Sequence, residues 1–167
     1  MPHVQSFAPI ENTDARILIL GSIPGEASLR AGQYYAHPRN LFWRIMGELL
    51  DTDPASSYGQ RVQALKSARI ALWDVLRSCH RKGSLDSNID DVSLVPNDFA
   101  AFFLRHPGIT HVFFNGSKAE ACYRRHVQPV IRIESLEYLR LPSTSPANAS
   151  ISYERKLEAW RVITTYA

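Results

Sequence analysis

The chain has 167 residues, 45% of them hydrophobic, with 19 Lys+Arg against 16 Asp+Glu, a net charge of +3 and a pI near 9.0. This is enough for one compact domain, residues 1–167, with its own core, and the mild basic excess permits an anionic partner without requiring one. Its two cysteines, Cys79 and Cys122, lie far apart with no CxxC spacing, which excludes a disulfide scaffold and a zinc cluster and fits a reducing compartment.

No run approaches the ~18 apolar residues of a membrane span, and the N-terminus lacks a basic segment followed by an apolar one, so a cytoplasmic protein is expected. Residues 16–20 (RILIL) form a continuous apolar run that stops at Gly21, the pattern of a strand buried on both faces. Leu41, Phe42, Ile45, Met46, Leu49 and Leu50 then recur every three to four residues and predict an amphipathic helix. Pro38 suits its first turn, and Asn40 stands one residue ahead of the apolar stripe. Residues 58–66 are a shorter helix candidate, and residues 68–75 (ARIALWDV) a second buried strand. A helix over 98–105, a strand over 110–114, a helix over 118–126 and a strand over 138–141 follow. Tyr153, Leu157, Trp160 and Ile163 mark a C-terminal amphipathic helix. This alternation predicts an α/β fold, a mostly parallel sheet with helices on both faces, whose ligand site lies beyond the carboxyl ends of the strands.

The functional residues should therefore sit in the loops GSIPGEASLRAGQYYAHPRN, DVLRSCHRKGSLDSN, NGSK and PSTSPANAS. GSIPG lacks the Gly-Lys-Ser/Thr ending of a phosphate loop, the spacing of a dinucleotide fingerprint and the central serine of a nucleophile elbow. It is a tight turn whose Ser22 and Ile23 amides suit the edge of a flat polar ligand, and taken alone it is a plain strand-to-helix turn. Asn40 by itself is a local backbone-bonding residue, and His37 a cap or a side chain packed beneath the loop. Tyr34 and Tyr35 are either core plugs or rings on which a nucleobase stacks. Asn115 is either a turn residue or a reader of donor and acceptor on a base edge. The last loop, rich in small hydroxyl and amide side chains, is either a capped helix start or a stiff loop that contacts phosphates and wedges into a duplex.

Together these segments resemble the uracil-DNA glycosylase superfamily, most closely its hypoxanthine-DNA (deoxyinosine) glycosylase branch. GSIPGEASL, YYAHPRNLFW, LWDVLRSCHRKGSLDSNI, FFNGSKA and LPSTSPANAS occur in order from Gly21 to Ser150. The resemblance implies a three-layer α/β/α sandwich around a four-stranded, mainly parallel sheet, and a monomeric enzyme without metal or cofactor that removes a deaminated base flipped out of DNA. By that likeness Tyr35 stacks on the flipped base, while the Ser22 and Ile23 backbone and Asn115 line its polar edge. Residues 141–148 then pinch phosphates and fill the vacated stack, with Ser143, Ser145, Asn148 and Lys118 touching DNA.

Two departures from the family pattern carry information. Ile23 stands where the uracil-removing relatives have the Asp or Asn that positions the attacking water, and Leu141 where several have a His or Asn that steadies the leaving base. Weak uracil excision is therefore expected. In the hypoxanthine branch the asparagine of the HPRN segment has the catalytic part, which falls on Asn40. Asp74 and Asp86 are possible carboxylate helpers, but read first as a strand-end cap and a turn former. The expected function is excision of hypoxanthine from deoxyinosine by base flipping. A mismatch-specific uracil or thymine glycosylase and a non-catalytic lesion-binding module are the alternatives.

Overall fold

The computed structural model describes residues 2–167. In chain order the elements are strands β1 (His3–Gln5) and β2 (Ile17–Gly21), helices α1 (Glu26–Ala31), α2 (Phe42–Leu50) and α3 (Tyr58–Ser67), and strands β3 (Ile70–Asp74), β4 (Leu76–His80) and β5 (Val95–Pro96). Helix α4 (Phe99–Arg105), strand β6 (His111–Asn115), helix α5 (Ser117–His126), strand β7 (Glu137–Leu141) and helices α6 (Tyr153–Trp160) and α7 (Ile163–Tyr166) complete it.

Four strands form the central sheet in the order β3-β2-β6-β7, with every pairing parallel. Successive side chains of a strand point to opposite faces, so Leu18 and Leu20 join Trp73, Val112 and Phe114 in the core beneath α4 and α5. Ile17 and Ile19 join Leu72 and Phe113 beneath α2, α3 and α6. Both faces are covered, which is why RILIL is apolar throughout instead of alternating. Each fully buried large side chain of this kind contributes about 1.5–3 kcal/mol of transfer free energy. The register sets Gly21 opposite Asp74 and Asn115 opposite Leu141, so the carboxyl ends of the strands finish at one level.

The expected α/β architecture is present, with differences that have local causes. A second sheet, β1-β4-β5, is antiparallel and was not expected. Its strands are short, and LRSCH looks polar although Leu76 and Cys79 are buried. Helix α2 begins at Phe42, so Pro38 lies outside it. Residues 37–40 make a turn instead, in which the Asn40 N–H donates to the His37 carbonyl at 2.9 Å. The C-terminal helical stretch is split into α6 and α7. Among the described residues, no helix is long and apolar enough to cross a membrane.

Candidate active site

Beyond the carboxyl ends of the strands lies a cavity of about 720 Å³, within the size range of small-ligand sites. The strand ends Gly21, Asp74 and Asn115 line it, together with the GSIPG loop, the HPRN turn, residues 84–87 and the last loop. No group of three or more His, Cys, Asp or Glu side chains among the described residues is placed to hold a metal ion.

Gly21 is where the two sides of the cavity converge. A Cβ there would lie 2.5 Å from Asp74 Oδ1 and 2.8 Å from the Tyr35 hydroxyl, so only glycine admits both side chains. Asp74 is 3% exposed, and its Oδ2 has no hydrogen-bond partner. Burial, reinforced by the charge of Asp86 and partly offset by Arg81, pushes its carboxyl up to about 7. At neutral pH this group is thus divided between a form that only accepts hydrogen bonds and one that also donates. The Tyr35 hydroxyl is likewise buried without a partner, and burial beside Asp74 raises its pKa. Tyr35 holds a positive φ of 53°, and its ring stacks on Phe42 with centroids 4.3 Å apart. Tyr34, in contrast, is core: its hydroxyl donates to the Ala8 carbonyl at 2.8 Å, and its own carbonyl accepts from Trp43 Nε1 at 2.7 Å.

Asn40 reaches the cavity wall, and just ahead of Leu41, the N-cap of α2, its Oδ1 accepts the Phe42 N–H at 2.9 Å. An amide oxygen has two lone pairs, so one remains for a further donor. Ile23 lines the same cavity and is nearly buried. The Ser22 hydroxyl donates to Asp86 Oδ1 at 2.6 Å, which makes Asp86 a brace of the GSIPG loop as well as a turn residue.

The last loop is bolted down from three sides. Asn115 Nδ2 donates to Thr144 Oγ1 at 3.0 Å and Asn115 Oδ1 accepts the Thr144 N–H at 2.9 Å, so the side chain expected to read a base edge holds the loop. The Thr144 carbonyl accepts the Leu41 N–H at 3.0 Å. From α6, Lys156 Nζ donates to the Asn148 carbonyl at 2.7 Å and Trp160 Nε1 to the Pro142 carbonyl at 2.9 Å. Ser143, Ser145 and Asn148 all line the cavity; Ser143 Oγ accepts the Ser145 N–H at 3.1 Å, Ser145 Oγ accepts the Ala147 N–H at 3.2 Å, and Asn148 Nδ2 donates to the Ser143 carbonyl at 3.2 Å. Lys118 is not among the cavity-lining side chains; its ammonium donates to Asp91 Oδ1 at 2.9 Å.

Sequence reasoning gave no weight to Arg81, which is 1% exposed and ties the second loop to the first: Nη2 donates to the Pro24 carbonyl at 2.6 Å and Nε to the Gly83 carbonyl at 2.8 Å. The sequence carries no local signal for that burial. Asp74 did leave one, an acidic residue closing an otherwise apolar strand.

A cavity large enough for a base, lined by the GSIPG loop, the amide side chains of Asn40 and Asn115 and the buried carboxyl of Asp74, suits a flat heterocycle with a polar edge. The chain matches the sequence profile described as "Uracil DNA glycosylase superfamily" over residues 8–164. It is 38% identical over 153 residues to a hypoxanthine DNA glycosylase of Methanosarcina barkeri, covering 91% of this chain and 92% of that one. It is 36% identical over 160 residues to a protein of the same name from Methanosarcina acetivorans, covering 95% and 96%. Its fold matches a solution NMR structure of a Methanosarcina acetivorans protein described as a candidate uracil DNA glycosylase, with a TM-score of 0.81 at 35% identity over 98% of this chain and 97% of that one. The chain therefore belongs to the uracil DNA glycosylase superfamily.

Proposed function

We propose that this protein is a monofunctional DNA glycosylase that hydrolyses the N-glycosidic bond of deaminated bases, chiefly hypoxanthine in deoxyinosine, acting as a cytoplasmic monomer on DNA. The observation that carries the reading is the match, along more than nine-tenths of both lengths, to two hypoxanthine DNA glycosylases.

The cavity supports it chemically. A flipped hypoxanthine offers an N1–H donor beside an O6 acceptor. In this reading the ionised Asp74 carboxylate accepts the N1–H and the neutral acid can in addition donate to O6, with the amides of the cavity-lining Ser22 and Ile23 assigned to the same edge. Tyr35, backed by Phe42, supplies the stacking surface. As the C1′–N9 bond breaks, its electron pair leaves with the base, which takes up a proton, and the sugar acquires oxocarbenium character. Water adds to C1′ and loses a proton, leaving hypoxanthine and an abasic site. Ile23 cannot hold that water. Asn40, with one lone pair of Oδ1 left beside the Phe42 N–H, is the residue we assign to position it.

The test is purified protein on duplexes containing deoxyinosine, uracil, xanthine or ordinary bases, scored for abasic sites. Deoxyinosine is expected to be cut fastest and uracil weakly. Preferential cutting at uracil or thymine mismatches would instead favour a mismatch glycosylase, and binding without cleavage a lesion-binding module.

A further inference from the structure

We propose that Leu85, and not the last loop, is the side chain that enters the base stack when the target nucleotide swings out; the inference rests on the glycosylase reading above. Extruding a nucleotide leaves a gap between its neighbours, and an apolar wedge that fills the gap offsets part of the lost stacking. Such a wedge must be apolar, exposed, at the mouth of the base cavity, and carried on a segment that does not yield when the stack pushes back.

The last loop does not meet these requirements. Leu141 is 3% exposed, and the apolar groups at the tip are the small Pro146 and Ala147, with Ile151 partly buried. Leu85 meets all of them. It lines the cavity and is 51% exposed. Val92, Leu104 and Val130 are more exposed still, but none of them lines the cavity.

The segment around Leu85 is fastened on both sides to the loop that faces the base. Before it, Ser84 Oγ accepts the Glu26 N–H at 2.9 Å; after it, Asp86 Oδ1 accepts the Ser22 hydroxyl at 2.6 Å. Its own carbonyl accepts the Asn88 N–H at 3.0 Å, and Arg81 clamps Gly83 to Pro24 from below. An exposed leucine on so braced a turn moves as one body with the GSIPG loop, so wedge and base pocket keep a fixed spacing. The Asp86 carboxylate beside it accepts from Ser22, and the exposed Lys82 brings a positive charge to the same segment.

The experiment compares wild type with Leu85→Ala and Leu85→Ser on one deoxyinosine oligonucleotide in three forms: single-stranded, paired in a duplex, and in a duplex with a pyrene nucleotide opposite the lesion to fill the vacated space. Because Leu85 is exposed, the variants should fold, and unchanged circular dichroism melting checks this. The expected result is a loss of about tenfold or more on the ordinary duplex, a change of less than about twofold on the single strand, and recovery with pyrene. Equal activity of wild type and variants on the duplex overturns the wedge while leaving the glycosylase reading intact, as does an equal loss on all three forms. If the wild type cuts none of them, the glycosylase reading falls and the wedge falls with it. Pro146→Gly serves as comparison: a larger duplex-specific loss there than in Leu85→Ala returns the role to the last loop.

Discussion

Both ends of the parallel sheet carry interacting polar side chains, and the two ends treat them differently. At the amino end, His106 Nε2 lies 2.7 Å from Glu11 Oε1, Arg105 approaches the same oxygen at 3.4 Å, and His111 Nε2 lies 3.1 Å from Glu137 Oε2. At the carboxyl end, the Tyr35 hydroxyl, Asp74 Oδ2 and Arg81 Nη1 are all buried without a partner; among the described residues the other such atom is His106 Nδ1. Leaving a buried polar group unpaired costs about 1–3 kcal/mol. Two of these atoms, on Tyr35 and Asp74, belong to residues that line one cavity, and folding alone gives no reason to place them there together. A polar ligand edge would give both of them partners, so the pairing pattern sets the carboxyl end of the sheet apart from the amino end.

Substitutions at four positions probe that contrast. The largest effect is expected at Asp74→Asn. In the folded chain this carboxyl keeps its proton up to about pH 7, whereas the unfolded chain gives it up near the ordinary value of 3.8. The folded state therefore binds more protons across that window, and its stability falls as pH rises through it. Removing the charge should stabilise the chain by roughly 4 kcal/mol at pH 8, with the gain vanishing toward pH 4, while deoxyinosine cleavage slows. Urea titrations at the two pH values measure it, and a gain independent of pH would show that Asp74 is not held protonated. Next comes Asn40→Ala, where turnover on deoxyinosine should drop by about 10²-fold with DNA binding retained. The lost hydrogen bond to the Phe42 N–H removes about 1 kcal/mol of stability as well. Asn40→Asp keeps the acceptor, so its melting temperature should return to that of the wild type.

Thr144→Val strands the Asn115 amide and should lower stability by about 2 kcal/mol, with weaker binding to DNA, read by denaturation and by oligonucleotide titration. The smallest change is expected at the other end: Glu11→Gln acts on partly exposed, solvent-screened pairs and should shift stability by less than about 1 kcal/mol, with cleavage rates unaltered. Loss of activity there would erase the distinction between the two ends.

Much of this was legible because the central strands are covered on both faces, which turns RILIL and ALW into unbroken apolar runs. The β1-β4-β5 sheet was not legible, since three residues of β1 and the polar LRSCH carry too little periodicity. Asn40 was legible as a local backbone-bonding residue and bonds the Phe42 N–H, although Leu41 is the N-cap; its place on the cavity wall depends on the turn at residues 37–40, which the Pro38 signal misplaced into the helix. Asn115 and Thr144 could not be paired from sequence, because their contact comes from the β6–β7 register. Asp74 reads in sequence as an ordinary strand end; Gly21 opposite it leaves room for the carboxyl, whose Oδ2 has no partner.

The bond from Lys156 to the Asn148 carbonyl makes one amine an indicator of loop position. Lys156 is 2% exposed, so the docked helix shields its amine from solvent. An amine-reactive label can reach it only when α6 lets go of the last loop. Its labelling rate, followed by mass spectrometry with and without an oligonucleotide, times the opening and closing of that loop without any foreign probe.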